Sequence, residues 1–428
     1  MNASAETPAA AAAAAASTTE TAWLRRATID LGAYRANLAH LQEVVAPAAL
    51  MAVVKANAYG HGAVPMARAA VTAGVRWLGV LELANAHELR AAGLSPDREP
   101  GDDGVALFAW QFAPTETFER AISERVDLGI STLGQLEAVA AAVESSTRAA
   151  APDAGPDAQV PVELQALVHL NVDTGLHRDG AAPEDWDALV ERAVALAAAG
   201  VVRLRGVYSH LAEASDDEDT DSAVALTEAV ERAAALGAVF ERRHLTASSA
   251  GLERPELRLD MVRMGANTYG IPVTDGLTAA DRGLVPVMTL SARVARVKRI
   301  AAGTGVSYDY TWRAPRDTTV ALVPIGYADG ISRRSQLGVG PDGTPGEGAG
   351  GASVALGGKR YPIVGRVAMD QFLVDVGDDE VAVGDEVTLF GTGDHGELTV
   401  GEWADLIGTI GEEITCSMGP RVERVYVS

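Results

Sequence analysis

A lysine at the end of an apolar, β-branched run has the means to do covalent chemistry. In Ala52-Val53-Val54-Lys55-Ala56-Asn57-Ala58-Tyr59-Gly60-His61-Gly62 the run stops at Lys55 and turns through small residues and two glycines. The run reads as a buried strand, and the glycines read as a loop that lets backbone approach closely. An amine at the carboxyl end of a buried strand loses hydration, so its pKa falls toward the neutral form that makes Schiff bases. The same position also suits a lysine that only caps a strand end. Arg178, His210, Ser249 and Arg263 likewise follow strand-like runs directly or within a few residues. That convergence favours chemistry over capping.

The elements that must hold these residues are legible as an alternation. Thr28–Leu31 reads as a short strand, followed by a helix with Tyr34, Leu38 and Leu41 on one face. Beyond the lysine strand, apolar runs begin at Trp77, Val105, Asp127, Leu164, Leu204, His244 and Asp260. Alanine-rich helical stretches separate most of them, among them 86–92, 116–125, 133–145 and 183–199. Roughly eight strand–helix units over about 230 residues is the rhythm of a (β/α)8 barrel, whose chemistry sits at the carboxyl ends of its strands. No GxGxxG fingerprint of a doubly wound sheet is present. From about Val285 short alternating runs replace helical periodicity: Met288–Val297, Thr319–Pro324, Ser353–Leu356, Phe372–Asp375, Glu386–Phe390 and Arg424–Val427. One short helix is expected at Val400–Ile407. The predicted fold is therefore α/β, a TIM-like barrel over 21–283 and a mostly β domain over 284–428, with the first strand near 28–31 able to pack with the β domain.

Composition narrows the function. The chain has 428 residues, 48% of them hydrophobic, and a net charge of -23, which argues against nucleic acid or an anionic membrane as partner. A single cysteine, Cys416, excludes an intramolecular disulfide and fits a reducing, cytoplasmic setting. Residues 1–20 carry the Ala9–Ala16 tract, two glutamates and no basic residue, and read as a disordered tail, not a secretory signal. Residues 150–158 read as a surface insertion. The acidic run Asp216–Asp221 reads as a solvated helix start. Gly340–Gly351 reads as a flexible loop; it lacks the Gly-Lys-Ser/Thr ending of a phosphate loop.

Taken together, Ala52–Gly62, Val172–Gly175, Gly206–Leu211, Met261–Gly270, Gly305–Tyr308, Pro324–Gly330, Gly365–Gln371 and Arg421–Tyr426 resemble, in order and spacing, the alanine racemase family over nearly everything after residue 21. The resemblance implies a pyridoxal 5'-phosphate enzyme that interconverts L- and D-alanine by two-base racemisation and supplies D-alanine for cell-wall peptidoglycan. Lys55 matches the lysine that forms the internal aldimine and serves the D-substrate. Tyr308 matches the tyrosine, given by the partner subunit, that serves the L-substrate. His210 matches the histidine bonded to that tyrosine, and Arg263 the arginine that faces the pyridine nitrogen. Tyr59, Ser249 and the N–H groups of Gly265 and Ala266 match the phosphate site. Arg178 and the backbone of Met369, the latter again from the partner, match the substrate-carboxylate site, with Asp370 beside it at the entry. The resemblance thus implies a homodimer.

Several positions depart from the family pattern. Asn171 replaces a lysine that can be carbamylated, which leaves room for a bound anion beside Arg178. His177 and Asp309 stand where glycines are common, Ser248 replaces an asparagine, and Met418-Gly419-Pro420 lacks a tyrosine. A carboxylate at Asp309 facing the site would raise the phenol pKa of Tyr308. Rival readings are a racemase of serine or broader specificity, a basic-amino-acid decarboxylase, and a non-catalytic cofactor-binding barrel.

Overall fold

The first strand, β1 (Arg25–Asp30), ends in the residue that starts the first helix: Asp30 Oδ1 accepts from Ala33 N at 2.9 Å and caps Leu31–Val45. That helix buries Tyr34, Leu38, Leu41 and Val45, the stripe expected from a 3.6-residue period. The computed structural model describes residues 23–97, 104–153, 159–274, 276–336 and 351–428. The expected tail at 1–20, most of the insertion at 150–158 and nearly all of the glycine-rich loop at 340–351 lie outside the described residues.

Eight parallel strands then close into a barrel. They are β2 (Ala49–Val53), β3 (Trp77–Leu81), β4 (Ala106–Ala109), β5 (Val126–Ile130), β6 (Ala166–Asn171), β7 (Val202–Tyr208), β8 (Arg242–His244) and β9 (Met261–Met264), with β9 pairing back to β2. Most are buried on both faces, which is why they read as continuous apolar runs. Helix caps follow local chemistry: Thr132 and Gln135 form a capping box, and Ser215 accepts from Glu218 N ahead of an acidic first turn. The helix expected over 116–125 spans only Glu119–Ser123; Phe118 just ahead of it is buried, with its ring edge-on to Phe112 at 5.1 Å.

Beyond the barrel come β10 (Met288–Arg293), β11 (Arg296–Ile300), β12 (Gly305–Val306), β13 (Trp312–Arg313), β14 (Thr318–Val323), β15 (Ser353–Leu356), β16 (Lys359–Val364), β17 (Phe372–Gly377), β18 (Glu386–Phe390) and β19 (Glu423–Val427). Nine strands form one sheet in the order β11-β14-β17-β16-β15-β18-β10-β1-β19, and β12 pairs with β13. The run expected as one strand over 288–297 is two. At its corner Val294 N bonds Asp385 O and Ala295 N bonds Leu322 O, so the chain changes partner strands there. Strand β16 went unread because Pro362 lies inside it, on an exposed position. A six-residue helix, Gly411–Cys416, also follows the expected one at Val400–Ile407. Strand β1 lies antiparallel to β10 and parallel to β19, so the sheet holds the segment that leads into the barrel. Among the described residues no helix is long and apolar enough to cross a membrane.

Candidate active site

The carboxyl ends of the barrel strands open into a cavity of ≈ 1120 Å³. Lys55, Tyr59, Arg178, His210, Ser249, Arg263, Gly265 and Ala266 all line it. Tyr308 and Met369 do not; they stand on the surface of the β region, 65% and 53% exposed.

Lys55 leads into an unusual turn. Ala56, Asn57, Ala58 and Tyr59 have φ of 51, 55, 54 and 52°, one turn of left-handed helix. L-residues avoid that conformation by roughly 1–2 kcal/mol each, so the surroundings must impose it. Ala58 N bonds Val54 O at 2.9 Å, and Gly62 N bonds Asn57 O at 2.8 Å. Asn57 Oδ1 accepts from Ala63 N at 2.8 Å, and His61 Nδ1 donates to the carbonyls of Ala58 and Tyr59. From the end of the β region, Arg424 Nε donates to Gly60 O at 2.6 Å and Tyr426 Oη donates to His61 O at 3.0 Å. A Cβ on Gly60 would sit 1.9 Å from Thr415 O, and one on Gly62 2.0 Å from Tyr426 Oη. Both glycines are sites of close approach that no side chain can occupy.

The turn delivers Tyr59, whose ring packs on Tyr269 at 5.0 Å. Its hydroxyl lies over Gly265, where a Cβ would come within 2.1 Å of it. With Ser249 and the Ala266 N–H it lines a cradle suited to an anion. The Gly265 N–H, expected to share that task, instead donates to Ser248 Oγ at 3.2 Å. Ser248, marked above as a departure, is therefore its acceptor.

Lys55, Arg178 and Arg263 bring three basic groups into a cavity whose wider lining also carries carboxylates, Glu213 and Glu412 among them. Burial, then the charge of Arg178, pushes the Lys55 pKa below that of an ordinary lysine. Burial pulls Arg263 down to about 10, still cationic at neutral pH. Burial and then Arg263 push His210 down to about 3, so its ring is neutral. Arg263 Nη2 donates to Ser209 O (2.8 Å), Leu245 O (3.0 Å) and, more loosely, His210 Nδ1 (3.3 Å). A guanidinium only donates, so His210 accepts at Nδ1 and carries its proton on Nε2. Among the described residues, no hydrogen bond is made by Arg263 Nε.

The departures find physical explanations. His177 has φ 55° and Asp309 φ 61°, left-handed positions where glycine is the easier residue. The His177 ring turns outward to Asp173 Oδ2 at 2.9 Å. Asp309 pairs with Arg366 at 2.7 Å. Ser307 and Tyr310 flank Tyr308 with φ of 60 and 48°, and Ser307 Oγ donates to Arg366 O, so a strained, anchored loop presents the phenol to solvent. Asn171 Nδ2 donates to Ser131 Oγ at 3.2 Å, and Arg178 makes no ion pair among the described residues. Sequence reading missed Glu412, which lines the cavity in the unanticipated helix Gly411–Cys416 and interacts electrostatically with Lys55. The Glu412-Glu413 pair after a glycine was its one available signal.

Comparison with known proteins is consistent along the whole chain. Residues 29–272 match the family "Alanine racemase, N-terminal domain", and residues 287–426 match "Alanine racemase, C-terminal domain". The chain is 41% identical to the alanine racemase of Thermobifida fusca over 404 residues, 94% of this chain and 97% of that one. It is 42% identical to the alanine racemase of Streptomyces coelicolor over 409 residues, 94% and 96% of the two chains. The crystal structure of alanine racemase from D-cycloserine-producing Streptomyces lavendulae superposes with a TM-score of 0.84 at 39% identity, covering 96% of this chain and 98% of that one.

Proposed function

The chain belongs to the alanine racemase family, and on that premise we propose how its residues divide the work of interconverting L- and D-alanine. The reaction is the family's own, racemisation of alanine by an enzyme. A broader racemase is not favoured by the relatives compared. We assign pyridoxal 5'-phosphate as the cofactor, and the residues present fit it. The hydroxyl of Tyr59, placed where only glycine at 265 allows, joins Ser249 and the Ala266 N–H as phosphate donors. When bound, the cofactor supplies a carbonyl for the amine and a conjugated ring that shares the electron pair left by the Cα proton.

Arg263 keeps its proton, and its unused Nε–H suits the ring nitrogen, which stays unprotonated opposite a guanidinium. Racemisation needs one base on each face of Cα, because a single base returns the proton to the side it came from. Lys55 Nζ, its pKa lowered by burial and then by Arg178, holds the proton on one face. The partner subunit's Tyr308 Oη holds it on the other. His210, neutral and protonated on Nε2, offers that phenol a hydrogen bond that favours the phenolate. Arg178 binds the substrate carboxylate with the backbone N–H of Met369 from the partner. The single cysteine supports a reducing, cytoplasmic setting.

The observation that carries this reading is that Lys55 lies inside the cavity while Tyr308 stands exposed outside it. Mixing inactive Lys55→Ala chains with inactive Tyr308→Phe chains tests it. Hybrid dimers contain one site with both bases, so roughly a quarter of the wild-type D/L-alanine interconversion should return. No recovery in verified hybrid dimers would place both bases in one chain and overturn the assignment.

A further inference from the structure

The inside of a (β/α)8 barrel is ordinarily filled with layers of apolar side chains. Here Met51, Trp77, Ala106, Phe108, Tyr208 and Met261 form such a filling, but a line of polar side chains runs through it. Arg263 Nη1 bonds His244 Nδ1 at 3.0 Å, His244 Nε2 bonds His169 Nδ1 at 2.9 Å, and His169 Nε2 bonds Asp127 Oδ1 at 3.1 Å. Asp127 Oδ1 also accepts from Arg205 Nε at 3.0 Å. His244, His169 and Asp127 are each 0% exposed.

The strands make room for this line. Gly129, His169 and Gly206 are register partners on β5, β6 and β7. A Cβ on Gly206 would come 2.3 Å from His169 Nδ1, and one on Gly129 2.6 Å from the Tyr208 hydroxyl. Tyr208 in turn stacks flat on His244 at 4.9 Å. Burying these groups costs more than burying hydrocarbon of the same volume, and the mechanism above makes no use of Asp127, His169 or His244.

The chemistry of each pair fixes the direction of every bond. Arg263 can only donate, so His244 accepts at Nδ1 and its proton is on Nε2. His244 Nε2–H then donates to His169 Nδ1, which leaves the His169 proton on Nε2, pointed at a carboxylate that can only accept. Both rings are neutral, held below an ordinary histidine first by burial. Burial alone would raise the Asp127 carboxyl, but Arg205 and the His169 hydrogen bond hold it below its ordinary value. All donors thus point one way, from the cavity toward a buried anion, and each bond polarises the next.

We propose that Asp127 is a positioning residue for racemisation, acting through His169 and His244 to fix the tautomers of both rings and the orientation of Arg263 against the cofactor ring; this rests on the reading that Arg263 faces the ring nitrogen. Nitrogen-15 spectra of histidine-labelled holoenzyme should show His169 and His244 both protonated at Nε2 and bare at Nδ1. Either ring in the opposite tautomer, or doubly protonated at neutral pH, overturns the proposal without any substitution having to fold. Asp127→Asn keeps an acceptor but removes the charge. It should lower kcat about tenfold, ~1.4 kcal/mol, with KM for alanine little changed, and should shift the bound cofactor's absorption and ring-nitrogen resonance. His169→Gln, whose amide can accept from His244 and donate to Asp127, should retain most of kcat, while His169→Leu should lose it as Asp127→Asn does. A purely structural Asp127 would instead lower thermal stability and leave kcat, the cofactor spectrum and the tautomers unmoved. If Arg263→Gln also leaves the cofactor spectrum unmoved, the reading of Arg263 fails; if it moves the spectrum and Asp127→Asn does not, only the present proposal fails.

Discussion

At Tyr308 the neighbour that matters is the carboxylate next door. Asp309 is ion-paired with Arg366 at 2.7 Å. Arg366→Gln should release that carboxylate beside the proposed base and slow the L-to-D reaction about twofold. Asp309→Gly in the same background should restore the rate, and initial rates of the wild type and both variants decide it. His61 makes a second residue-scale prediction. Burial holds its folded pKa at about 4, against an ordinary 6.5. The unfolded chain therefore binds the extra proton first, so the stability from the neutral ring is whole above pH 6.5 and is lost as pH falls toward 4. The loss is about 3 kcal/mol. Urea midpoints should fall across that window in the wild type and less steeply in His61→Gln. At this scale the sequence was informative where a charged residue ends or follows a barrel strand, as with Lys55 and Arg263, both of which line the cavity. It was silent on His169, His244 and Asp127, because a histidine within an apolar strand reads like any satisfied core residue.

The element with the most consequence is the left-handed turn after Lys55. Gly60 and Gly74 both have positive φ, 84 and 85°, yet a Cβ on Gly60 meets backbone at 1.9 Å and one on Gly74 meets nothing within 4 Å. Gly74→Ala should cost about 1 kcal/mol from conformation alone, and Gly60→Ala at least about 3 kcal/mol because the β region must also move. Equilibrium denaturation of both variants separates the two terms. Gly60→Ala should also weaken cofactor retention, since the turn carries both Lys55 and Tyr59. The strand–helix alternation that announces the barrel was legible because period and length distinguish its parts. The handedness of the turn was not, since four consecutive non-glycine residues with positive φ contradict their own local preference and are held there by distant partners. Strand β16 was hidden for the converse reason, a proline that the sheet tolerates.

On the scale of the whole molecule, the proposed division of the two bases between chains would tie activity to assembly. Specific racemase activity should fall on dilution as dimers separate, while the barrel retains the cofactor linked through Lys55. Sedimentation and the cofactor's absorbance, followed at the same concentrations, check both halves of that expectation. Strong global repulsion from the charge of -23 should make the separation easier at low salt than at moderate salt. The order of the nine-stranded sheet could not be read in advance, because the placing of β1 beside β19 is a pairing between segments far apart in sequence, and no local pattern encodes it.

That pairing also sets a timetable. Arg424 and Tyr426, which clamp the turn at Gly60 and His61, lie 364 and 365 residues downstream of the groups they hold. A ribosome needs on the order of 20–70 s to cover that distance. Once Met264 is made, the nascent chain can hold every strand of the barrel and still lack the brace on the turn that follows Lys55. A chain truncated before Glu423–Val427 should therefore fail to engage the cofactor productively, even with its barrel complete.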